Sequence, residues 1–149
     1  MDHLNLPSFA HKVIRKEDKL FIFDNSRKKY VALTPEEWVR QHFVHFLINY
    51  KSFPAGRMGN EITVMLNGMR KRSDTVVYDQ EGNPFIIIEY KAPSIKITQE
   101  VFNQIVRYNM VLRVKYLIVS NGINHYCCKI DYTRDTYEFL TEIPDFTQF

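Results

Sequence analysis

Long apolar stretches are missing from this chain. Its longest run, Phe85-Ile86-Ile87-Ile88, falls far short of the ~20 residues needed to cross a bilayer. The polar start Met1-Asp2-His3-Leu4-Asn5 also lacks the hydrophobic stretch of a secretory signal. A soluble, cytoplasmic protein with no membrane role is expected. Cysteine is scarce as well: Cys127 and Cys128 are neighbours in a β-like segment, where consecutive side chains point to opposite faces and do not bond each other. That excludes a disulfide framework and a zinc ribbon. No Gly-x-Ser-x-Gly elbow supports a serine nucleophile, and no Gly-x-x-x-x-Gly-Lys-Ser/Thr loop is present to cradle nucleotide phosphates. The chain therefore carries no ATP-driven motor of its own. Neither internal repeats nor low-complexity linkers divide its 149 residues, and at 45% hydrophobic content they suit a single α/β domain with one core.

What the chain does contain is an ordered series of short elements. Residues 20–24 and 29–33 are β-rich and flank Asn25-Ser26-Arg27-Lys28, which reads as a hairpin. Thr34-Pro35-Glu36-Glu37 then starts a helix, with Thr34 as N-cap, Pro35 in the first helical position and Glu37 completing a capping box. The helix should run to about Tyr50 and bury Val39, Phe43, Phe46, Leu47 and Tyr50. Strands are expected over 60–66, 70–78 and 84–91, separated by Asn67-Gly68 and by residues 79–83. A second helix over 98–112 precedes strands at 115–120, 125–130 and 137–140, with Asn121-Gly122 as a turn. The order is thus αβββαβ, one layer of sheet with helices packed on it, preceded by an N-terminal hairpin extension (1–33) to a core at 34–145.

The net charge of +3 is mild but locally gathered, in Arg27-Lys28-Lys29 and in Arg70-Lys71-Arg72. Both clusters can be solvated surface. The second adjoins Asp74, which makes Arg70, Lys71 and Arg72 candidates for contacting a phosphate backbone. A two-residue turn at Asn67-Gly68 sets Glu61 opposite Asp74, and a turn centred on Glu81-Gly82 sets Asp74 opposite Glu89. Three carboxylates then form a row across three strands, with Lys91 on the same face. Ile62, Val64, Leu66, Thr75, Val77, Ile86 and Ile88 take the other face. Like charges across a sheet repel, so the row requires cations. Arg72 and Lys91 supply some of that charge. Bound Mg²⁺, which takes one or two carboxylates, water and substrate phosphate, could supply the rest. The alternative use of the row is a salt-bridged solvent face.

Asp74, followed beyond a hairpin by Glu89-Tyr90-Lys91 within an αβββαβ order, resembles the PD-(D/E)xK nuclease superfamily. The stretch 34–145, with Arg72-Ser73-Asp74-Thr75-Val76-Val77-Tyr78-Asp79 and Glu89-Tyr90-Lys91-Ala92-Pro93, looks in particular like the N-terminal nuclease domain of type I restriction enzyme R subunits. On the second helix Gln104 and Tyr108 stand four apart and share a face. The pair is similar to the Gln-x-x-x-Tyr motif of the RecB-like branch, where it supports the active site. The resemblance implies a restriction-endonuclease-like fold, a central mixed sheet flanked by helices. It also implies that Asp74 and Glu89 hold Mg²⁺, or Mn²⁺ as a substitute, with the Tyr90 backbone carbonyl as an additional ligand. Lys91 would then orient or activate the attacking water and stabilise charge on the phosphate. A first-helix glutamate often joins such clusters; Glu37 is the candidate, with Glu36 an equal-length rival and Glu61 a further one. Ser73 stands where the family's proline precedes the aspartate.

These readings predict a Mg²⁺-dependent DNA endonuclease that cuts phosphodiester bonds without a covalent intermediate. The alternative is a nucleic-acid-binding or assembly module that keeps the nuclease fold and cleaves little by itself. DNA, restriction-modification subunits or a motor protein are the expected partners. A homodimer is a further expected assembly, since nucleases that cut both strands often act as paired sites. His42 and His45 stand three apart on the first helix without a third ligand nearby, which favours packing or surface roles over a metal.

Overall fold

A computed structural model of the chain describes residues 1–66 and 68–149. Two sheets are present. The N-terminal one is antiparallel, β1 (Val13–Lys16), β2 (Lys19–Asp24) and β3 (Lys29–Ala32), where the sequence pattern predicted only the β2–β3 hairpin. Strand β1 escaped notice because all of its residues are exposed, so no buried face imposes an apolar alternation on it.

Helix α1 (Pro35–Tyr50) starts where expected, with Thr34 Oγ1 accepting the Glu37 N–H at 3.0 Å. The reciprocal half of the capping box does not form. The Thr34 N–H bonds instead to the Ala32 carbonyl, because arginines draw the Glu37 carboxylate inward. Val39, Phe43 and Leu47 are fully buried. Phe46 is half-buried and Tyr50 is exposed, so the apolar stripe is narrower than its spacing suggests.

The main sheet runs in the order β4 (Met58–Leu66), β5 (Met69–Tyr78), β6 (Pro84–Tyr90), β7 (Tyr116–Ser120), β8 (His125–Asp131) and β9 (Thr136–Phe139). It is mixed, because β6 and β7 are parallel while the other neighbours are antiparallel. Parallel neighbours need a crossover, and α2 (Gln99–Asn109), capped at its start by Thr98, supplies it. Each sheet face has its own core. On the α1 side, Val39, Phe43 and Leu47 meet Val77, Ile86, Ile88 and Cys127; on the α2 side, Phe102, Ile105 and Val106 meet Val76, Ile87, Leu117 and Cys128. The two cysteines are free and face opposite ways, as their adjacency in a strand requires.

The expected turn Asn67-Gly68 lies partly outside the described residues, since Asn67 is not among them. Leu66 pairs with Met69, and Gly68 has φ +77°. Asn60 pairs with Thr75 and Ile62 with Ser73, which leaves Glu61 across from Asp74. The pairing of Thr75 with Ile88 carries the row on to Glu89. The face expected for Ile62 and Val64 is corrected. Both pack in the α2-side core with Val76, not with Val77 and Ile88. The cause is Glu61, whose φ of +55° is left-handed. It interrupts the alternation of side chains, so that Ile62 folds back over Gly59, where a Cβ would lie 2.9 Å from it. At the far end of the sheet, the Gly122 φ of +86° and the approach of Leu4 leave no room for a side chain.

Candidate active site

Strands β5 and β6 deliver two carboxylates to one point. Asp74 is three-quarters buried, and its Oδ2 accepts the backbone N–H of Tyr90 at 2.9 Å. This side-chain bond occurs where β5 and β6 stop exchanging ladder bonds, and it fixes the Asp74 carboxylate against the residue after Glu89. The Glu89 side chain lies between Asp74 and the end of α2, where Asn109 Nδ2 approaches its Oε1 at 3.5 Å while bonding the Ile105 carbonyl at 2.9 Å. Burial above all, and next the charge of Asp74, pushes the Glu89 carboxyl up to about 8. The Asn109 amide and the Lys91 ammonium pull the other way without prevailing. Lys91 follows β6 directly and is held there by its backbone N–H, which donates to the Ser120 carbonyl of β7 at 2.9 Å.

The other acids are already neutralised. Glu37 is buried and accepts from Arg27 Nη2 at 2.8 Å, Arg40 Nη1 at 3.3 Å and Gln41 Nε2 at 2.9 Å. Glu36 is exposed, so of the two rivals Glu37 is the one turned inward. Glu61 accepts from Arg40 Nη2 at 2.5 Å and from Arg72 Nε at 2.6 Å. Burial alone would raise the Glu61 carboxyl, but the bonds and charges of Arg40 and then Arg72 hold it below the usual carboxylate range. Arg40 is the hub, only 3% exposed: it also stands 3.8 Å from Asp74 Oδ1 and lies over the Tyr90 ring. Neither Glu37 nor Glu61 is brought onto Asp74; Arg40 stands between.

The basic triplet divides. Arg70 is exposed and pairs across the ribbon with exposed Met65; Arg72 is exposed beyond its contact with Glu61. Lys71 turns to the opposite face. Its Nζ donates to the Tyr108 carbonyl at the end of α2 and lies over the Tyr108 ring. Burial lowers its pKa, and the charge of Glu89 opposes that shift. Tyr108 is thus tied to the site through Lys71. Gln104 is exposed, and among the described residues none of its side-chain hydrogen bonds reaches the carboxylates. His42 is buried against Trp38 and Phe9 and bonds the Trp38 carbonyl, a packing role. His45 stacks on Phe9.

Sequence reasoning missed Arg40 and Asn109. Arg40 follows Glu37 by three on a helix and reads as an ordinary surface pair; Asn109 reads as a polar helix end.

The donor set can be judged chemically. Asp74, Glu89 and the Tyr90 carbonyl offer oxygen only, and among the described residues no three His, Cys, Asp or Glu side chains gather into a metal-binding group. Two carboxylates with room for water and a phosphate oxygen suit Mg²⁺, whereas zinc sites draw on nitrogen and sulfur. Burial and the charge of Asp74 leave Glu89 holding its proton, and a bound cation would take that proton's place.

Comparison with known proteins bears on the family and the fold. A model of the family described as type I restriction enzyme R protein N terminus matches residues 35–144. A solved fragment structure of a protein assigned as an HsdR subunit of a type I restriction enzyme from Vibrio vulnificus YJ016 superposes with a TM-score of 0.52 at 19% identity. The match covers 75% of this chain and 24% of that one, so this chain spans about a quarter of the solved relative. At that identity the likeness speaks for the fold. No curated protein matches.

Proposed function

This chain belongs to the family of type I restriction enzyme R protein N termini, and on that premise we propose that it is a Mg²⁺-dependent endonuclease domain that hydrolyses phosphodiester bonds in DNA, with Mn²⁺ as a substitute metal. The observation that carries the reading is the meeting of Asp74 and Glu89 beside Lys91, a pair in which burial first and the charge of Asp74 second push Glu89 up to about 8. When bound, the divalent ion would supply Lewis-acid polarisation of the phosphoryl oxygen and acidify a coordinated water. Asp74 and Glu89 would hold it, with the Tyr90 carbonyl as a further oxygen. The Tyr90 N–H fixes one Asp74 oxygen, and the other, 3.8 Å from Arg40, is the one that would bind. Lys91 orients the attacking water and places a fixed positive charge where the phosphate accumulates negative charge. Arg70, on the outer face of the β4–β5 ribbon, positions the DNA backbone without reading its sequence.

The experiment is direct. A supercoiled plasmid is incubated with Mg²⁺, with Mn²⁺ and with chelator, using wild type, Asp74→Ala and Lys91→Ala. Nicking should require metal and fall by at least about a hundredfold in both variants, as expected for loss of a group acting on the transition state. Metal-dependent nicking that survives both substitutions overturns the site. A second reading, a binding or assembly module within a larger restriction-modification complex, draws on the exposure of Gln104. Under that reading the chain binds DNA and leaves it intact in every metal.

A further inference from the structure

We propose that the N-terminal sheet is part of the catalytic unit: Asp24 and Arg27, at the β2–β3 turn, are positioning residues for Asp74 and Tyr90. Both lie outside residues 35–144, the segment that the family model matches. The inference rests on the nuclease reading for what is positioned, and on a closed ring of contacts for how.

The ring starts at Asp24, 1% exposed, which accepts from the Arg27 guanidinium and from the backbone N–H groups of Ser26 and Arg27. Arg27 Nη2 reaches Glu37 Oε1 at 2.8 Å, and the same oxygen accepts from Arg40 Nη1 at 3.3 Å. Arg40 lies over the Tyr90 ring, 5.7 Å from its centroid. The Tyr90 hydroxyl meets Thr75 Oγ1 at 2.9 Å; Thr75 donates to Asn60 Oδ1 at 2.8 Å; Asn60 Nδ2 returns to Asp24 Oδ2 at 3.2 Å. Except for Arg27, each member is more than nine-tenths buried.

The site touches this ring at two points. Arg40 stands beside Asp74 Oδ1, and Tyr90 donates its backbone N–H to Asp74 Oδ2. Both Asp74 oxygens are thus oriented by ring members. Arg40, in turn, cannot be held by α1 alone. Its buried charge is balanced by Glu37 and Glu61, and Glu37 is shared with Arg27. In a water-poor interior such charge-assisted bonds have one good arrangement. Removing Arg27 leaves Glu37 entirely to Arg40 and Gln41, draws Arg40 toward the helix, and frees Asp74 to rotate. Asp24 matters because it holds the Arg27 guanidinium and the Asn60 amide with one carboxylate oxygen. The turn between β2 and β3 thereby braces the metal-binding aspartate through Glu37 of α1 and Asn60 of β4.

The test uses Arg27→Gln, Arg27→Lys and Asp24→Asn in the full chain, each verified as folded at the assay temperature. Nicking rate at saturating plasmid, the Mn²⁺ concentration for half-maximal rate, and DNA affinity in chelator are measured. Hydrogen exchange of the Tyr90 amide is followed in metal-free protein. Positioning partners of metal ligands are typically worth about 10–100-fold. Arg27→Gln should therefore lower the saturated rate at least about tenfold and raise the Mn²⁺ requirement several-fold, with DNA affinity unchanged. Arg27→Lys should restore part of both. Tyr90 exchange should quicken in Arg27→Gln and Asp24→Asn. Wild-type rates and metal requirement in both variants overturn the brace. If wild type itself nicks nothing, the nuclease reading fails and the Tyr90 amide decides separately: faster exchange in the variants upholds the brace, and unchanged exchange removes it.

Discussion

Asp74 and Tyr90 are joined by a 2.9 Å bond from backbone N–H to carboxylate. The residue between Glu89 and Lys91 thus orients the aspartate on the neighbouring strand. Its own side chain faces away into the α1-side core, where the phenol is buried beside Thr75. One residue serves both layers because backbone and side chain point in different directions.

Glu89 makes metal-free stability pH-dependent. Its carboxyl titrates at about 8 in the fold and near 4.5 when unperturbed. Between those values the folded chain retains a proton that the unfolded chain has lost. Stability is therefore greatest below about pH 4.5 for this group and declines as pH rises toward 8, at up to about 1.4 kcal/mol per unit. Asp24 and Glu61 act oppositely, since their lowered values make stability fall as pH drops below the ordinary carboxylate range. Thermal denaturation in chelator should show the alkaline decline between pH 5 and 8 in wild type and lose it in Glu89→Gln, where the lowered values of His42, His45 and His125 leave stability rising with pH.

Divalent ions should reverse that decline. A ligand that binds only the folded chain at a hundred times its Kd adds about 2.7 kcal/mol, and an ion held by Glu89 would have to displace its proton. Added Mg²⁺ should therefore raise Tm more at pH 8 than at pH 6, with no shift in Asp74→Ala. Equal shifts at both pH values would contradict the assignment of Glu89 as a ligand.

The split of Arg70-Lys71-Arg72 separates affinity from rate. Arg70→Gln should weaken DNA binding on all sequences and reduce the slope of log K against log salt by about one. Lys71→Met should leave that slope nearly unchanged and lower the nicking rate, because Lys71 clamps the end of α2 near Glu89. Fluorescence anisotropy across a salt series in chelator, alongside plasmid nicking, distinguishes the two.

Gly122→Ala should destabilise the chain by about 1–3 kcal/mol. The new methyl would lie 2.7 Å from Leu4 Cδ2 and 3.1 Å from Val39 Cγ2, on a backbone with φ +86°. Urea denaturation measures it, and nicking at temperatures well below Tm should persist.

Much of this fold was legible because local signals were strong. Thr34-Pro35 starts α1, Thr98 starts α2, and the turns fix which strand residues face each other, so Glu61, Asp74 and Glu89 fell in one row before any coordinates. The residues that escaped share a different character. β1 has no buried face. Glu61 breaks alternation through a backbone angle that its identity does not announce. Arg40 and Asn109 acquire their roles from partners distant in sequence, Glu61 and Glu89. Asp24 and Arg27 looked like a plain hairpin end because their partners lie on a helix and strands not yet placed.

The parallel pairing of β6 with β7 bears on how the site comes into being during synthesis. Asp74 and Glu89 belong to one hairpin and can meet as soon as it leaves the ribosome, on the microsecond scale of hairpin closure. Asn109, and the Ser120 carbonyl that anchors Lys91, arrive only after the α2 crossover has been made and docked. In a nascent chain the pair is thus open to water, and it becomes the buried acidic pair of the finished fold only when the crossover closes over it.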